Sequence, residues 1–280
     1  MNLPVRKNHD KIVKRLGRLG DFLLALPMVF FGVMHLTHGR GVAQIVPSWM
    51  PWRLFWAYFT GAALVAAGTS IMARKHTRLA ATLLGAMLLL FVFLIHLPNM
   101  VLSIAHHPGD FNVLWSYNGT GGVNNALKDL ALSTSALILA AAPTDTELNS
   151  PSPGVIALGA IFAAIMALYG LEHLVYRGFT PGIPSWTLVS FWIPWRRFWG
   201  YVTGIALLSA GVCILIKKEA RAAAVVLGLM ILVVAVCTYV FRAVGDQGNI
   251  GELMNTAKDI GIAGGALILS GKLPKGNESS

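Results

Sequence analysis

The sequence has few charged residues and almost no cysteine. Only 12% of its 280 residues are Asp, Glu, Lys or Arg, whereas 55% are hydrophobic. A soluble domain usually carries about twice that share of charge, so the composition excludes a water-soluble globule and a disordered chain. Two cysteines without a CxxC motif exclude a disulfide-stapled scaffold. Phosphate-binding loops, HExxH, GxSxG and dinucleotide fingerprints are also missing.

Long apolar segments dominate the chain instead. A membrane-spanning helix needs roughly 20 mostly apolar residues, because about 30 Å of hydrocarbon is crossed at about 1.5 Å per residue. Open strands leave backbone groups unsatisfied in lipid, so we predict that every such segment is helical. The candidates are eight segments, of which the fourth and the eighth are short: 21–38, 55–73, 79–101, 127–142, 155–176, 198–216, 222–241 and 256–271.

Positive charge is biased toward one side of these segments. The chain has 22 Lys and Arg against 12 Asp and Glu, a formal net charge of +10. If the N-terminus is cytoplasmic, 14 of these cations lie inside and 8 lie outside. The bias predicts an inner-membrane protein with both termini in the cytoplasm. The positive excess then faces anionic lipid, and no nucleic-acid partner is predicted.

The two halves of the chain repeat each other. The matching pairs are Gly32-Val-Met-His35 with Gly170-Leu-Glu-His173, Val46-Pro-Ser-Trp49 with Ile183-Pro-Ser-Trp186, Pro51-Trp-Arg-Leu-Phe-Trp56 with Pro194-Trp-Arg-Arg-Phe-Trp199, and Lys128-Asp129 with Lys258-Asp259. Repeated glycines such as Gly61 and Gly204 suit close helix approach. We therefore predict an all-α membrane protein with eight transmembrane helices, arranged as two parallel-oriented four-helix repeats. The predicted domains are unit one at 1–142, a cytoplasmic linker at 143–153 and unit two at 154–280.

In their order, these motifs resemble the DoxX family of small membrane proteins. The stretches that carry the resemblance in unit one are Gly32–His35, Pro47–Trp56 and Asn125–Asp129. The likeness covers nearly the whole chain as two units in tandem. The resemblance implies a four-helix fold for each unit. Some family members are described as small subunits of a thiosulfate:quinone oxidoreductase, so it also implies a quinone and a soluble or membrane redox partner as expectations.

Polar residues gather toward the predicted outer side. His35 lies 14 residues into its segment and His96 lies 17 residues into its own, which places them about 21 and about 26 Å from the inner end. Ionisable groups at such depth are functional hypotheses by default. The predicted catalytic residues are His35, His173, His96 and Glu172, and the predicted cofactor-binding residues are Lys128, Asp129, Lys258, Asp259 and Tyr239. In unit one we expect one cluster at this depth, formed by His35, His38, His96, Asn99, Lys128 and Asp129. In unit two we expect a matching cluster, formed by Glu172, His173, Tyr239, Arg242, Lys258 and Asp259.

Each of these predictions has a structural alternative. A Lys-Asp pair is a simple helix start, because Asp suits the positive helix end and Lys extends to the headgroups. A hydrogen bond between helices explains His35 and His173 equally well. His35 and His38 share a helix face, and His96 could supply a third metal ligand. Unit two, however, has tyrosines at the positions that match His38 and His96. We therefore predict no metal site.

Two functions stay open at this point, and whether the chain is an enzyme stays open with them. The first is a quinone-linked redox subunit, in which His35 and His173 hydrogen-bond a quinone headgroup or exchange protons near the outer leaflet. The second is a non-enzymatic scaffold or accessory protein that docks a partner through its outer loops, where all eight tryptophans are predicted to lie. An aromatic belt at the headgroups is the simpler explanation of these tryptophans. A solute carrier ranks last, since no unit shows a clear Pro/Gly break at mid-membrane.

Overall fold

The regular secondary structure of the described chain is entirely helical, as predicted. The computed structural model describes residues 3–106, 122–141, 151–176, 182–183, 193–245 and 250–273, and it describes their side chains except at 3–14, 103, 239–245 and 250–252. A π-helical turn, Val92–His96, joins α4 and α5 into one long helix. The α-helices are α1 (Leu3–Thr37), α2 (Gly39–Val42), α3 (Arg53–Met72), α4 (Thr77–Phe91), α5 (Leu97–His106), α6 (Val123–Ala140), α7 (Pro153–Val175), α8 (Arg196–Leu215), α9 (Ala220–Gly245) and α10 (Ile250–Ser270).

Six helical segments in the described ranges are long and apolar enough to cross a membrane. They correspond to six of the eight predicted segments: Arg15–Thr37, Arg53–Met72, Thr77–His106, Pro153–Val175, Arg196–Leu215 and Ala220–Thr238. Their outward faces carry large apolar side chains, and Leu79 and Leu83 are both 60% exposed. A continuous exposed apolar surface of this kind suits lipid rather than water. The length and composition of these helices indicate a membrane protein.

The remaining two predicted segments form α6 and α10, which lie in the middle of the bundle. α6 is 18 residues long and α10 is 21 residues long. Residues 131–136 and 261–270 are buried throughout. α6 contacts α4, α7 and α10, while α10 contacts α1, α6 and α9. The core of the molecule is therefore built around this central pair of helices.

The two halves of the chain interleave around the central pair. α1 packs against α3 and also against α10, while α7 packs against α8 and also against α6. The first long helix of each half therefore contacts the last helix of the other half. At the crossing of α1 and α10, a Cβ added to Gly20 or to Gly264 would lie 2.7 Å from the carbonyl oxygen of the other glycine. Only residues without a side chain permit this approach.

Pairs of contacts fix the direction of each helix relative to its neighbours. Lys258 contacts Asp129, and further along the same two helices Gly265 abuts Ser135. Residue numbers rise together along α6 and α10, so these helices run parallel. In α1 and α10 the numbers run in opposite senses, because Gly20 meets Gly264 whereas Pro27 lies beside Gly261. α1 is therefore antiparallel to α10.

The helices begin earlier than their apolar stretches. α6 starts at Val123 and α10 starts at Ile250, so Lys128 is the sixth residue of its helix and Lys258 is the ninth. The prediction that the Lys-Asp pairs open their helices is wrong. Lys128 also does not extend to the headgroups, because its side chain is fully buried. The helix-start explanation of Lys128-Asp129 therefore fails.

Cationic groups mark the opposite end of the bundle. Arg74 Nη2, just after α3, lies 3.9 Å from Asp21 Oδ2 in α1. Arg221 donates from Nε and Nη2 to the carbonyl oxygen of Leu273, at 3.2 and 2.7 Å, and thereby closes the end of α10. Lys258 and Ser270, the last residue of α10, are 12 residues apart, or about 18 Å along the helix. The two ends are thus separated by more than half of the roughly 30 Å of a hydrocarbon core.

Candidate functional site

Two ion pairs cross between the central helices. Lys128 Nζ on α6 lies 2.7 Å from Asp259 Oδ1 on α10, and both side chains are 0% exposed. Lys258 Nζ on α10 lies 2.7 Å from Asp129 Oδ1 on α6, with 17% and 8% of the side chains exposed. Each lysine therefore pairs with the aspartate of the other helix. This exchange is possible because the two helices run parallel with their Lys-Asp pairs at the same level.

A histidine extends the more open of the two pairs. His96 Nε2 lies 2.9 Å from Asp129 Oδ2, with both side chains 8% exposed. Asp129 therefore binds Lys258 through one oxygen and accepts a hydrogen bond from His96 through the other. Lys258 Nζ also lies 3.4 Å from Asn125 Oδ1. We call His96, Asp129 and Lys258 the open triad.

The backbone at His96 is unusual. His96 ends the π-helical turn Val92–His96 that joins α4 and α5. A π-turn inserts extra backbone into a helix, redirects the side chains that follow and occurs frequently at functional sites. Here the side chain at its end is the one that reaches α6. The local helix defect and the buried ionic contact thus coincide at one residue.

The sealed pair Lys128–Asp259 lies beside polar residues of α7. The Tyr169 hydroxyl lies 3.0 Å from both the carbonyl oxygen and Oδ1 of Asn124 on α6. Glu172 is buried and close enough to Lys128 to interact with it electrostatically. Tyr169 and Glu172 therefore belong to the same ionic region. The region joins residues from both halves of the chain.

A segment that follows α7 in the chain, Gly182 and Ile183, covers this side of the ionic region. A Cβ added to Gly182 would lie 2.6 Å from Glu172 Oε2 and 2.7 Å from Tyr169 Cδ1. His173 Nε2 lies 2.9 Å from the carbonyl oxygen of Ile183, and both residues are buried. His173 thus ties α7 to the segment that seals the region. This contact favours the structural alternative for His173, a hydrogen bond between segments.

The matching histidine of unit one has a different environment. His35 is part-buried, and its Nδ1 lies 2.7 Å from the carbonyl oxygen of Phe31 in its own helix. A Cβ at Gly61 would lie 2.8 Å from His35 Cβ, and a Cβ at Gly204 would lie the same distance from His173 Cβ. The two histidines therefore pack alike on the neighbouring helix but direct their rings to different partners. His38 is exposed and hydrogen-bonds Thr37 Oγ1 at 2.8 Å.

The structure brings together most of the predicted site residues. His96, Lys128, Asp129, Glu172, Lys258 and Asp259 form one region, whereas the sequence predicted one set for each unit. Tyr239 and Arg242 lie on α9, but their side chains fall outside the described residues. Among the residues with described side chains, no group of three His, Cys, Asp or Glu is arranged to hold a metal ion.

Sequence reasoning missed three polar contributors. Asn124, Asn125 and Tyr169 all hydrogen-bond within the ionic region. A signal for them exists in the helical spacing. Asn124 and Asn125 lie three or four residues before Lys128 and Asp129, and Tyr169 lies three residues before Glu172. Residues at that spacing share a helix face.

Comparison with known proteins assigns no activity. A family model described as Domain of unknown function (DUF8561) matches residues 24–117. The matched range covers about a third of the chain, from within α1 to beyond the end of α5. None of the curated proteins and none of the solved structures matches the chain. The resemblance to the DoxX family stays a prediction.

Proposed function

We propose that the chain is an inner-membrane protein with eight spanning helices in two parallel four-helix units, residues 1–142 and 154–280, joined by a cytoplasmic linker. At about 1.5 Å per residue, α6 and α10 are about 27 and about 32 Å long, enough for the hydrocarbon core. Both are surrounded by other helices, so their polar residues need not face lipid. Their parallel direction fits two units with the same orientation.

Equivalent glycine contacts support the two repeats. A Cβ on Gly68 in α3 would touch Ala25 and Val29 of α1, and one on Gly211 in α8 would touch Ala163 and Ala167 of α7. Likewise, a Cβ on Gly85 would touch Ser133 and Leu137, and one on Gly228 would touch Ala263 and Leu267. The contacted residues are offset by 138 in the first comparison and by 130 in the second, which matches the sequence alignment.

For the activity, we propose a quinone-linked redox subunit whose headgroup site is the open triad. The observation that carries this proposal is the placement of His96 and Lys258, each within hydrogen-bonding distance of Asp129, at the partly exposed end of a buried ionic region. A site at this depth suits a ligand whose ring lies near the headgroups and whose tail lies in lipid. The electrons would come from a soluble or membrane redox partner.

The donors of the open triad fit a quinone headgroup. A bound quinone supplies two-electron chemistry coupled to proton uptake. Its carbonyl oxygens accept hydrogen bonds, and the Lys258 ammonium and the His96 imidazole are both donors. Asp129 orients these two groups through its two oxygens. His96 is the residue suited to exchange a proton with the outer side, since an imidazole can both donate and accept a proton through its ring nitrogens.

The proposal moves the central role from His35 and His173 to His96. His173 is fully buried and its Nε2 is engaged by the Ile183 carbonyl, whereas His35 binds a carbonyl of its own helix. Both are expected to affect stability more than ligand binding. His96 instead contacts ionised groups at the more open edge of the cluster.

A titration of the purified protein with decylubiquinone tests this function. Replacing His96 with glutamine is expected to weaken binding up to about tenfold, because the loss of one hydrogen bond to an uncharged quinone carbonyl costs roughly 0.5–1.5 kcal/mol. His38→Gln is the matched control, since His38 is exposed and its side chain hydrogen-bonds only to Thr37 in the described contacts. The proposal fails if wild-type protein binds no decylubiquinone, or if His96→Gln binds it as tightly as His38→Gln does.

A second candidate function is a docking scaffold, and the exposure of two equivalent tryptophans favours it. Trp52 and Trp195 precede α3 and α8, and their side chains are 80% and 78% exposed. Both adopt left-handed backbone conformations, with φ of 53° and 55°. A photo-crosslinking amino acid placed at either position in cells should capture a protein partner. Adducts with lipid alone would assign these residues to an aromatic belt instead.

A further inference from the structure

The two crossed ion pairs differ in a way that stability does not explain. Lys128–Asp259 is fully sealed, whereas Lys258–Asp129 is partly open. A buried ion pair offsets its desolvation cost only when its remaining polar atoms are also satisfied. Asp259 Oδ2 is buried, and no hydrogen bond reaches it from any residue that the structure describes. The sealed pair is therefore a poor source of stability.

The sealed pair is suited to fix the register of α6 against α10. The contacts further along α6 and α10 involve Leu132 with Gly261 and Ser135 with Gly265. Small and apolar residues allow close approach but discriminate weakly between neighbouring registers. Because both side chains of the sealed pair are buried, sliding one helix past the other by a turn, about 5.4 Å, would separate the two charges and leave each without its counter-ion in the interior. Fixing the register of neighbouring helices is the best-attested role of buried polar and ionic groups.

We propose that Lys128 and Asp259 are a positioning pair that fixes the register of α6 against α10 and thereby holds the open triad together. Lys128 is the chain neighbour of Asp129, and Asp259 is the chain neighbour of Lys258. A fixed sealed pair therefore sets where Asp129 and Lys258 face each other and where Asp129 meets His96. The effect of this pair on ligand binding rests on the proposed function, whereas its effect on the geometry of the open triad does not.

Paired substitutions in the full-length protein separate positioning from folding. Lys128→Met alone leaves Asp259 buried without its cation and is expected to lower the yield of folded protein. Lys128→Met combined with Asp259→Leu removes both charges and should fold. Lys128→Asp combined with Asp259→Lys reverses the sealed pair and keeps opposite charges in both crossed pairs, while the new carboxylate at position 128 lies near Glu172. Lys75→Met, at an exposed position, is the matched control.

The readout is the imidazole nitrogen NMR signal of His96, assigned with His96→Gln, in protein labelled at histidine. We expect the reversed pair (Lys128→Asp with Asp259→Lys) to keep this signal and to bind decylubiquinone within about threefold of wild type. We expect the apolar pair (Lys128→Met with Asp259→Leu) to shift the signal and to weaken binding about tenfold or more. An apolar pair with wild-type signal and affinity overturns the positioning role, as does a folded reversed pair with a displaced signal. Failure of both double variants to fold overturns it too, because the pair is then a determinant of folding.

The NMR signal also separates this inference from the proposed function. If wild-type protein binds no decylubiquinone, the quinone proposal fails, while the response of His96 to the paired substitutions still decides the positioning role. If decylubiquinone binds and depends on His96 but the apolar pair leaves both readouts unchanged, only the positioning role is lost.

Discussion

Replacing Gly264 by alanine is predicted to destabilise the bundle, because it forces apart the two helices that interleave the halves of the chain. A Cβ at Gly264 would lie 2.7 Å from both the Gly20 carbonyl oxygen and the Leu24 amide nitrogen. Both are backbone atoms and cannot rotate away. Ordinary contact starts at 3.4 Å, so α1 and α10 must separate by about 0.7 Å, and such a gap forfeits roughly a quarter to a half of the attraction between facing atoms.

The expected loss is about 1–3 kcal/mol of unfolding free energy, as for other overpacked contacts. It can be measured by reversible unfolding in mixed detergent micelles, followed by tryptophan fluorescence. Gly17→Ala is the control, because Gly17 lies on the partner helix α1, three residues before Gly20, and a Cβ there meets nothing within 4 Å. The control should be neutral or gain up to about 1 kcal/mol from the lower entropy of the unfolded chain. Equal unfolding free energies for the two variants would refute the contact between α1 and α10.

Two further substitutions test the interior of the bundle. Lys128→Ala is expected to destabilise the protein by about 3–5 kcal/mol, since it leaves the buried Asp259 carboxylate without its counter-ion. Lys258→Ala is expected to cost less, since the Lys258 side chain is 17% exposed. Thermal unfolding of the two purified variants should show the larger loss for Lys128→Ala, and the opposite order would contradict the burial described. Ser133→Ala removes the 2.7 Å hydrogen bond from Ser133 Oγ to the Gly85 carbonyl oxygen and should cost about 0.6–1.7 kcal/mol. A loss below about 0.2 kcal/mol, measured by the same unfolding experiment, would show that the bond between α4 and α6 contributes nothing.

Local signals in the sequence predict the helices well. Apolar length identifies six segments that the structure also shows to be long and apolar enough to span a membrane. Repeated glycines such as Gly61 and Gly204 predict close helix approach, and both lie at such contacts. These features succeed because they depend on residues that are near in sequence or on the absence of a side chain. The prediction that His96 and the first Lys-Asp pair lie at a common level is confirmed, since His96 contacts Asp129.

The partners of the polar residues are not predictable from depth. A count of residues along a helix gives the height of a side chain but not the neighbour that it faces. The ion pair between Lys128 and Asp259 therefore does not follow from the sequence. The predicted start of α6 is too late because the polar residues before Lys128, which extend this helix by about a turn, resemble a loop in sequence. The π-turn that ends at His96 contains neither Gly nor Pro, but Pro98 lies two residues beyond it. Proline lacks the amide that an α-helix would donate to the Leu94 carbonyl, so the sequence does carry a local signal for this turn. The different environments of His35 and His173 depend on a loop contact at Ile183, which the repeat alignment does not predict.

The central claim is that α6 and α10 cross the membrane with the other six helices, so that both units point the same way. A reporter inserted into the linker 143–153 tests this most directly, because the position of the linker depends on whether α6 crosses. We predict that a fluorescent protein inserted there is fluorescent and that alkaline phosphatase inserted at the same position is inactive, as expected for the cytoplasm. Active phosphatase at the linker would place it outside and contradict the account.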